Sequence, residues 1–309
     1  MTGKLYINGR DAFTDFGVFV HDGAYNELVS FPAMKDVTFN DWPEEDGVEV
    51  DLSAPRLDSK TFNITFCCVD TSKIDDMIVA LSWGVYHEFD FREIGVLRVL
   101  RLVSNPDIKT LAGLGKFTFG FADDFPLNDY DYVPPTPIPS ATQEGFEIDG
   151  ERLSTYGIWV LEGSRDNITQ YPTVKQNLLV NTSTIQGAIY ESEDAFLNQK
   201  DVDLKCLLKA PDAVTFWNNY NALLFDLTRP GERGFYFAIT DKTYPCYYKN
   251  SQVDRFAKIG PDLWCEFTLT LAFTSFTVGE TLYLLAAEDG ALITTEDGQY
   301  YINTAYNGN

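Results

Sequence analysis

Histidine is nearly absent from this 309-residue chain, which has only His21 and His87, and methionine is scarce at three. Two imidazoles leave little material for a His-based triad, a dyad or a His-Cys zinc set, and neither sits in a G-x-S-x-G or H-E-x-x-H pattern. His21 stands where a matching segment 140 residues later has Leu161, and no Ser or Cys nucleophile motif lies beside His87. Both read as surface or packing residues. Basic residues are outnumbered, 23 Lys and Arg against 46 Asp and Glu, giving a formal charge of −23. That balance argues against a surface that grips phosphates by counterion release. The richest basic stretch, Arg92 to Arg101, interleaves its arginines with apolar residues, as a strand with one wet face does. The five cysteines, Cys67, Cys68, Cys206, Cys246 and Cys265, lack C-x-x-C spacing and read as small buried hydrophobes in a reducing compartment. Cys67 and Cys68 would face opposite sides of a strand, which leaves them neither a mutual disulfide nor a shared metal. No run approaches 18 apolar residues, and Met1 to Ile7 has no apolar signal core, so neither a membrane span nor a signal peptide is expected. Glycine patterns for phosphate are missing too: Ala112-Gly113-Leu114-Gly115 reads as a turn before a strand.

Phe (23) and Tyr (17) are abundant, which leans toward strands because aromatic rings pack well on a pleated surface. The chain also repeats itself. Tyr6-Ile7-Asn8-Gly9, Phe16-Gly17-Val18-Phe19-Val20 and Gly23 are matched by Glu147-Ile148-Asp149-Gly150, Tyr156-Gly157-Ile158-Trp159-Val160 and Gly163. The offset is 141 residues at the first glycine and 140 at the next two. The repeat extends through alternating strands, Thr61–Phe66 and Asp201–Cys206, each preceded by a lysine, Lys60 and Lys200. Next comes an amphipathic helix in each copy. Ser72 is the expected N-cap before Ile74, Met77, Ile78 and Leu81, and Asp212 the cap before Val214, Trp217, Tyr220 and Leu224. Each copy closes on a strand, Lys116–Phe121 and Glu266–Leu271, where the offset has grown to 150. The ten extra residues are assigned to an exposed loop around Arg229-Pro230-Gly231, followed by a strand over Phe235–Ile239.

Fold class follows as mainly β (α+β): two tandem β-sandwich domains, 1–125 and 146–279, each with one flanking helix. The segment 126–145 holds five prolines and reads as a semi-rigid linker that keeps the copies apart. Residues 280–309 read as a small β-hairpin extension, because Glu288-Asp289-Gly290 and Glu296-Asp297-Gly298 are turn signals between apolar runs.

No site of chemistry emerges: no catalytic, cofactor-binding or metal-ligating residue is assigned. Carboxylate pairs are too common among 46 acids to mark a glycosidase. Asn128-Asp129-Tyr130-Asp131 lacks the ligand series of a calcium loop and reads as a solvated turn. Between the opening strands and the long alternating strand each copy carries a polar excursion, Asn40–Gly47 and Asn177–Lys200. Such a segment is a mobile hairpin or, in a ring, an arm that reaches a neighbour. In the first, Trp42, Glu44, Glu45 and Asp46 are the candidate partner contacts, Trp42 foremost. Trp83, Trp159, Trp217 and Trp264 lie in or beside predicted strands and helices and are expected in the core.

The Ile-Asn-Gly, Phe-Gly, alternating-strand opening resembles the N-terminal domain of siphophage distal tail proteins, and the strand, helix and closing-strand order is similar to the wider tail-tube fold. The likeness spans Leu5 to about Phe125 and again Phe146 to about Phe276. It implies a β-sandwich with a flanking helix, self-association into a ring around a DNA channel, other tail proteins (tube and tip) as partners, and residence in the virion after synthesis in the bacterial cytoplasm. The charge balance and the lack of long apolar runs add the expectation of no sequence-specific nucleic-acid binding and no membrane. Distal tail proteins pair the ring domain with a different second domain, whereas this second half reads as another ring domain. Three chains would then present pseudo-sixfold symmetry, and six chains two stacked rings. The competing class is a soluble carbohydrate-binding or adhesion module working through exposed aromatics such as Trp42.

Overall fold

A computed structural model describes residues 1–111, 114–127 and 130–276. The expected hairpin element over 280–309, the pair Asn128-Asp129 and the pair Ala112-Gly113 lie outside the described residues. Met1–Ser275 forms one compact unit, and the chain from Phe276 belongs to a second.

The first half runs β1 (Tyr6–Ile7), β2 (Arg10–Asp11), α1 (Ala12–Phe16), β3 (Val18–Val20), α2 (Tyr25–Val29), β4 (Phe39–Asn40), β5 (Glu49–Val50), β6 (Lys60–Cys68), α3 (Ile74–Ser82), β7 (Tyr86–Phe91), β8 (Val96–Leu111) and β9 (Leu114–Asp123). The second runs β10 (Phe146–Ile148), β11 (Glu151–Arg152), β12 (Ile158–Val160), α4 (Ser164–Thr169), β13 (Leu179–Val180), β14 (Ile189–Tyr190), β15 (Lys200–Ala210), α5 (Ala213–Leu227), β16 (Arg233–Phe237), β17 (Lys242–Ile259) and β18 (Asp262–Phe273). Each half builds a seven-stranded antiparallel sheet, in the orders β2-β1-β7-β8-β9-β6-β3 and β11-β10-β16-β17-β18-β15-β12, which correspond strand for strand. Each half also carries a separate two-stranded hairpin, β4-β5 or β13-β14. The protein is therefore mainly β, of α+β type.

Chain geometry makes each sheet curl. Seven flat strands would set β2 and β3 about 29 Å apart, yet α1 bridges them with five helical residues that span only about 8 Å. Gly17, at φ +69°, ends α1 in the left-handed conformation and accepts that sharp exit without strain; Gly157 does the same at φ +75°. Curling encloses one face of each sheet. Period-two alternation puts Phe62, Ile64, Phe66 and Cys68 of β6 on that face, against Phe117, Phe119 and Phe121 of β9, and all seven are buried. Val202, Leu204, Cys206 and Leu208 do the same in β15 against Cys265, Phe267, Leu269 and Leu271 of β18.

The two repeated lysines have a common task. Lys60 Nζ donates to the carbonyls of Leu28 and Ser30 at the end of α2, and Lys200 Nζ to those of Ile168 and Gln170 at the end of α4. A cation at helix-end carbonyls satisfies acceptors that the short helix leaves free.

Several expectations change. Asp70, not Ser72, caps the first helical turn: its carboxylate accepts from the Ser72 amide at 3.1 Å and from the Ser72 hydroxyl at 2.6 Å. A 3-10 turn over Thr71–Lys73 precedes α3 and moves the cap upstream. Asp212 does cap α5, accepting from Thr215 N at 2.8 Å. Val214, expected on the apolar face, is instead 81% exposed, one residue inside the helix start. The extra residues of the second half go largely into the helix, since α5 has 15 residues and α3 has 9. The strand expected over Phe235–Ile239 ends at Phe237, and Ile239 sits in the following turn.

The linker does not hold the halves apart. It lies along α5, where Asn219 Oδ1 accepts from Thr136 N at 2.6 Å, Asn218 Nδ2 donates to Pro134 O at 2.9 Å, and Ile138 is buried. The halves touch directly. Phe31 stacks on Tyr220 at 3.9 Å, Trp217 Nε1 donates to Ile94 O at 2.7 Å, and Tyr248 OH donates to Pro32 O at 2.7 Å.

Candidate assembly interface

The densest polar contact between the halves is made by the β4-β5 hairpin, the first arm. At its base Leu52 is buried with Tyr247 and Ala272 of the second half, and Met34, Val37 and Val50 pack around them. Toward its tip the Lys175 side chain, 1% exposed, donates to Asp41 Oδ1 at 2.5 Å, Trp42 O at 2.8 Å and Gly47 O at 2.6 Å. An ammonium has three protons, so this set of acceptors satisfies it completely, and Asp41 supplies the countercharge a buried cation needs. Backbone bonds complete the joint: Gly47 N to Leu197 O and Val48 N to Thr274 O, both 2.8 Å. Gly47 is required here. Its φ is +72°, and a Cβ would stand 1.8 Å from the Thr274 carbonyl oxygen, which no side chain survives.

The four candidate contact residues separate. Trp42 is 50% exposed, with Nε1 donating to Glu49 Oε2 at 3.4 Å, and Glu44 and Glu45 are exposed beside it. Asp46 is exposed as well but is tied to its own chain, its carboxylate accepting from Leu197 N at 2.7 Å. Sequence reasoning missed Lys175 and Gly47. Their signal was present, because Lys35 and Lys175, like Gly47 and Gly187, lie 140 residues apart in register with the repeat.

The second arm, β13-β14, copies the first. Leu179 and Val180 pair with Tyr190 and Ile189, as Phe39 and Asn40 pair with Val50 and Glu49. Gly187 has φ +82°, yet nothing lies within 4 Å of where its Cβ would be. Leu179, Val180, Ile185 and Ile189 are exposed. Its side-chain hydrogen bonds, Tyr190 OH to Lys175 O and Thr182 with Thr184, stay within the second half.

Elsewhere among the described residues, the candidate groups do not assemble into reactive sets. His87 is buried with Nδ1 at 3.0 Å from Asn8 Nδ2, and the corresponding place in the second half holds Arg233, paired with Asp149 at 2.7 Å. Both groups brace the turn at Asn8 or Asp149. His21 Nε2 lies 3.3 Å from Lys116 Nζ on an exposed strand face. Burial pushes the Cys206 thiol up to about 12 and those of Cys246 and Cys265 up as well, which suits packing and not nucleophilic attack. A cavity of about 540 Å³ is lined by Lys60, Arg98, Asp123, Tyr130 and Tyr220 among others, with Asp123 the single carboxylate among the described residues that line it. Among the described residues, the two facing acids of a glycosidase are not found there. Among the described residues, no group of three or more His, Cys, Asp or Glu is placed to hold a metal ion, and no helix is long and apolar enough to cross a membrane. Of the tryptophans expected in the core, Trp217 is buried at the contact between halves, but Trp83 is 78% exposed where α3 ends.

No protein-family model matches the chain, and no curated protein matches it. Among solved structures, the crystal structure of the SPP1 Dit (gp 19.1) protein, described as a paradigm of the hub adsorption apparatus in phages infecting Gram-positive bacteria, is similar at 11% identity. That match covers 87% of this chain and 97% of the other, with a TM-score of 0.28. At that score the likeness carries no weight for fold or function, which rest on the chain's own geometry.

Proposed function

We propose that this chain is a structural protein of a phage or prophage tail, a distal-tail or baseplate-hub adaptor whose two tandem tail-tube-like domains, 1–125 and 146–279, build a ring around the DNA channel. The observation that carries the reading is the joint between the halves. Two halves of like topology meet head to tail: the first offers its arm, and the second receives it with Lys175, Leu197 and Thr274. A heterologous contact between like units generates a ring when its rotation closes. Three chains would make a trimer with six similar positions, and six chains a hexamer of stacked rings. The charge of −23 suits a channel wall past which DNA slides without sticking. Tube and tip proteins are the expected neighbours. Negative-stain microscopy with native mass measurement tests this: rings with a central hole and a mass of three or six chains are expected, and a strict monomer at high concentration refutes it.

A further inference from the structure

We propose that the second arm docks on the first half of another copy of this chain, at the surface around Lys35, Leu57 and Asp124. The proposal deepens the ring reading and rests on it. The receiving surface is already built to the pattern of the joint within the chain. Lys35 N donates to Arg56 O at 2.8 Å, as Lys175 N donates to Phe196 O at 2.7 Å. Met34 bridges to Leu57 as Val174 bridges to Leu197. Asp124 follows β9 as Thr274 follows β18. Among the described residues of the single chain nothing encloses Lys35, which is exposed where Lys175 is buried, and Leu57 and Asp124 beside it are partly exposed.

The arm that fits it is equally prepared. Gly187 keeps the left-handed conformation that Gly47 needs to meet a carbonyl, although it meets nothing among the described residues of its own chain. Docked like the first arm, it brings Gly187 against the Asp124 carbonyl and gives Lys35 the carbonyls of Thr182 and Gly187. Gln186 takes the place of Asp46 at the Leu57 amide. Between Asn181 and Tyr190 the arm has no charged residue, so two chains of net charge −23 meet there without acid facing acid. Apolar surface waits on both sides. Ile185 and Ile189 are exposed on the arm, as are Val79 on α3 and Trp83 just past its end, α3 being the counterpart of the α5 helix that carries Trp217 and Tyr220 into the joint within the chain. The two joints differ in one respect: Asn181 stands where the first arm has Asp41, so Lys35 gains an amide and no countercharge.

Gly187→Asn tests the proposal, because asparagine tolerates the left-handed conformation and the space around Gly187 is open in the single chain, while its Cβ would strike the neighbour's carbonyl. By sedimentation the variant is expected as a single chain at concentrations where the natural protein is assembled, needing at least tenfold more protein to associate, with an unchanged melting curve. Gln186→Cys combined with Leu57→Cys should link chains into disulfide multimers on a non-reducing gel. If the natural protein forms rings, the asparagine variant forms them equally well and the cysteine pair gives no multimers, this interface is wrong and the ring reading stands. A natural protein that stays monomeric at every concentration overturns both.

Discussion

Replacing Lys175 by methionine should loosen the first arm and lower the stability of the whole unit. Methionine keeps the length and apolar stem of lysine but supplies none of the three donated hydrogen bonds to Asp41, Trp42 and Gly47. Trp42 and Asp41 are exposed enough to regain water, whereas Gly47 is buried, so its carbonyl stays without a partner. A buried acceptor left unsatisfied costs about 1–3 kcal/mol, and breaking a buried ion pair about 3–5, part of which is offset because the ammonium no longer has to be desolvated. We therefore expect a loss of about 3 kcal/mol. Unfolding entropy of about 2.1 cal/mol/K per residue over residues 1–275 amounts to about 0.6 kcal/mol/K, so the melting temperature should fall by about 5 °C. Hydrogen exchange localises the effect: the Gly47 and Val48 amides, bonded to Leu197 O and Thr274 O, should exchange faster than in the natural protein. Lys35→Met is the control, since Lys35 is exposed in the single chain, and it should leave the monomer's melting temperature unchanged. Equal melting temperatures for Lys175→Met and the natural protein, with unchanged exchange at Gly47 and Val48, would refute the reasoning.

Gly47→Ala should destabilise the same joint by a different route, the collision of its Cβ with the Thr274 carbonyl, and thermal melting should show a loss at least as large as that of Lys175→Met. Asp212→Ala removes the side-chain acceptor from Thr215 N and should cost about 1 kcal/mol in chemical denaturation; a variant as stable as the natural protein rules out the cap. Burial first, then the Arg98 guanidinium, pushes the Lys60 ammonium down to about 7, and burial pushes Lys200 down to about 8. Above pH 7 the unfolded chain therefore holds more protons than the folded one, and stability should rise with pH up to about 9, the range in which the unfolded thiols begin to ionise. Beyond that the buried cysteines, whose thiols are held high in the fold, reverse the slope. Melting in matched buffers across this range should show a shallower rise for Lys60→Met, and an identical rise counts against the assignment.

Much of the fold was legible because period-two alternation reports burial directly. Phe62, Ile64 and Phe66 could be placed on one face from their spacing, and Asp212 could be named as a cap from its position before an apolar helix face. What stayed hidden depends on neighbours distant in sequence. Trp83 looks like a core residue until the helix is seen to end at Ser82, which leaves Trp83 just past the helix and exposed. The prolines of the linker exclude regular structure but say nothing of a docking surface, which comes from Asn218 and Asn219 on a helix more than 80 residues away. The hairpin arms could be expected from their polar composition. Their receiver could not, because a lone lysine such as Lys175 reads as solvent-facing unless its acceptors, contributed by residues near Asp41 and Gly47, are known.

The joint between the first arm and the second half has its two sides on one polypeptide, tethered through the linker from Pro126 to Gly145. Its local concentration is set by chain geometry, on the order of millimolar for a short tether, whatever the amount of protein in solution. Dilution dismantles contacts between separate molecules but leaves this one closed. Each chain thus keeps its two halves paired at concentrations where contacts between separate molecules come apart.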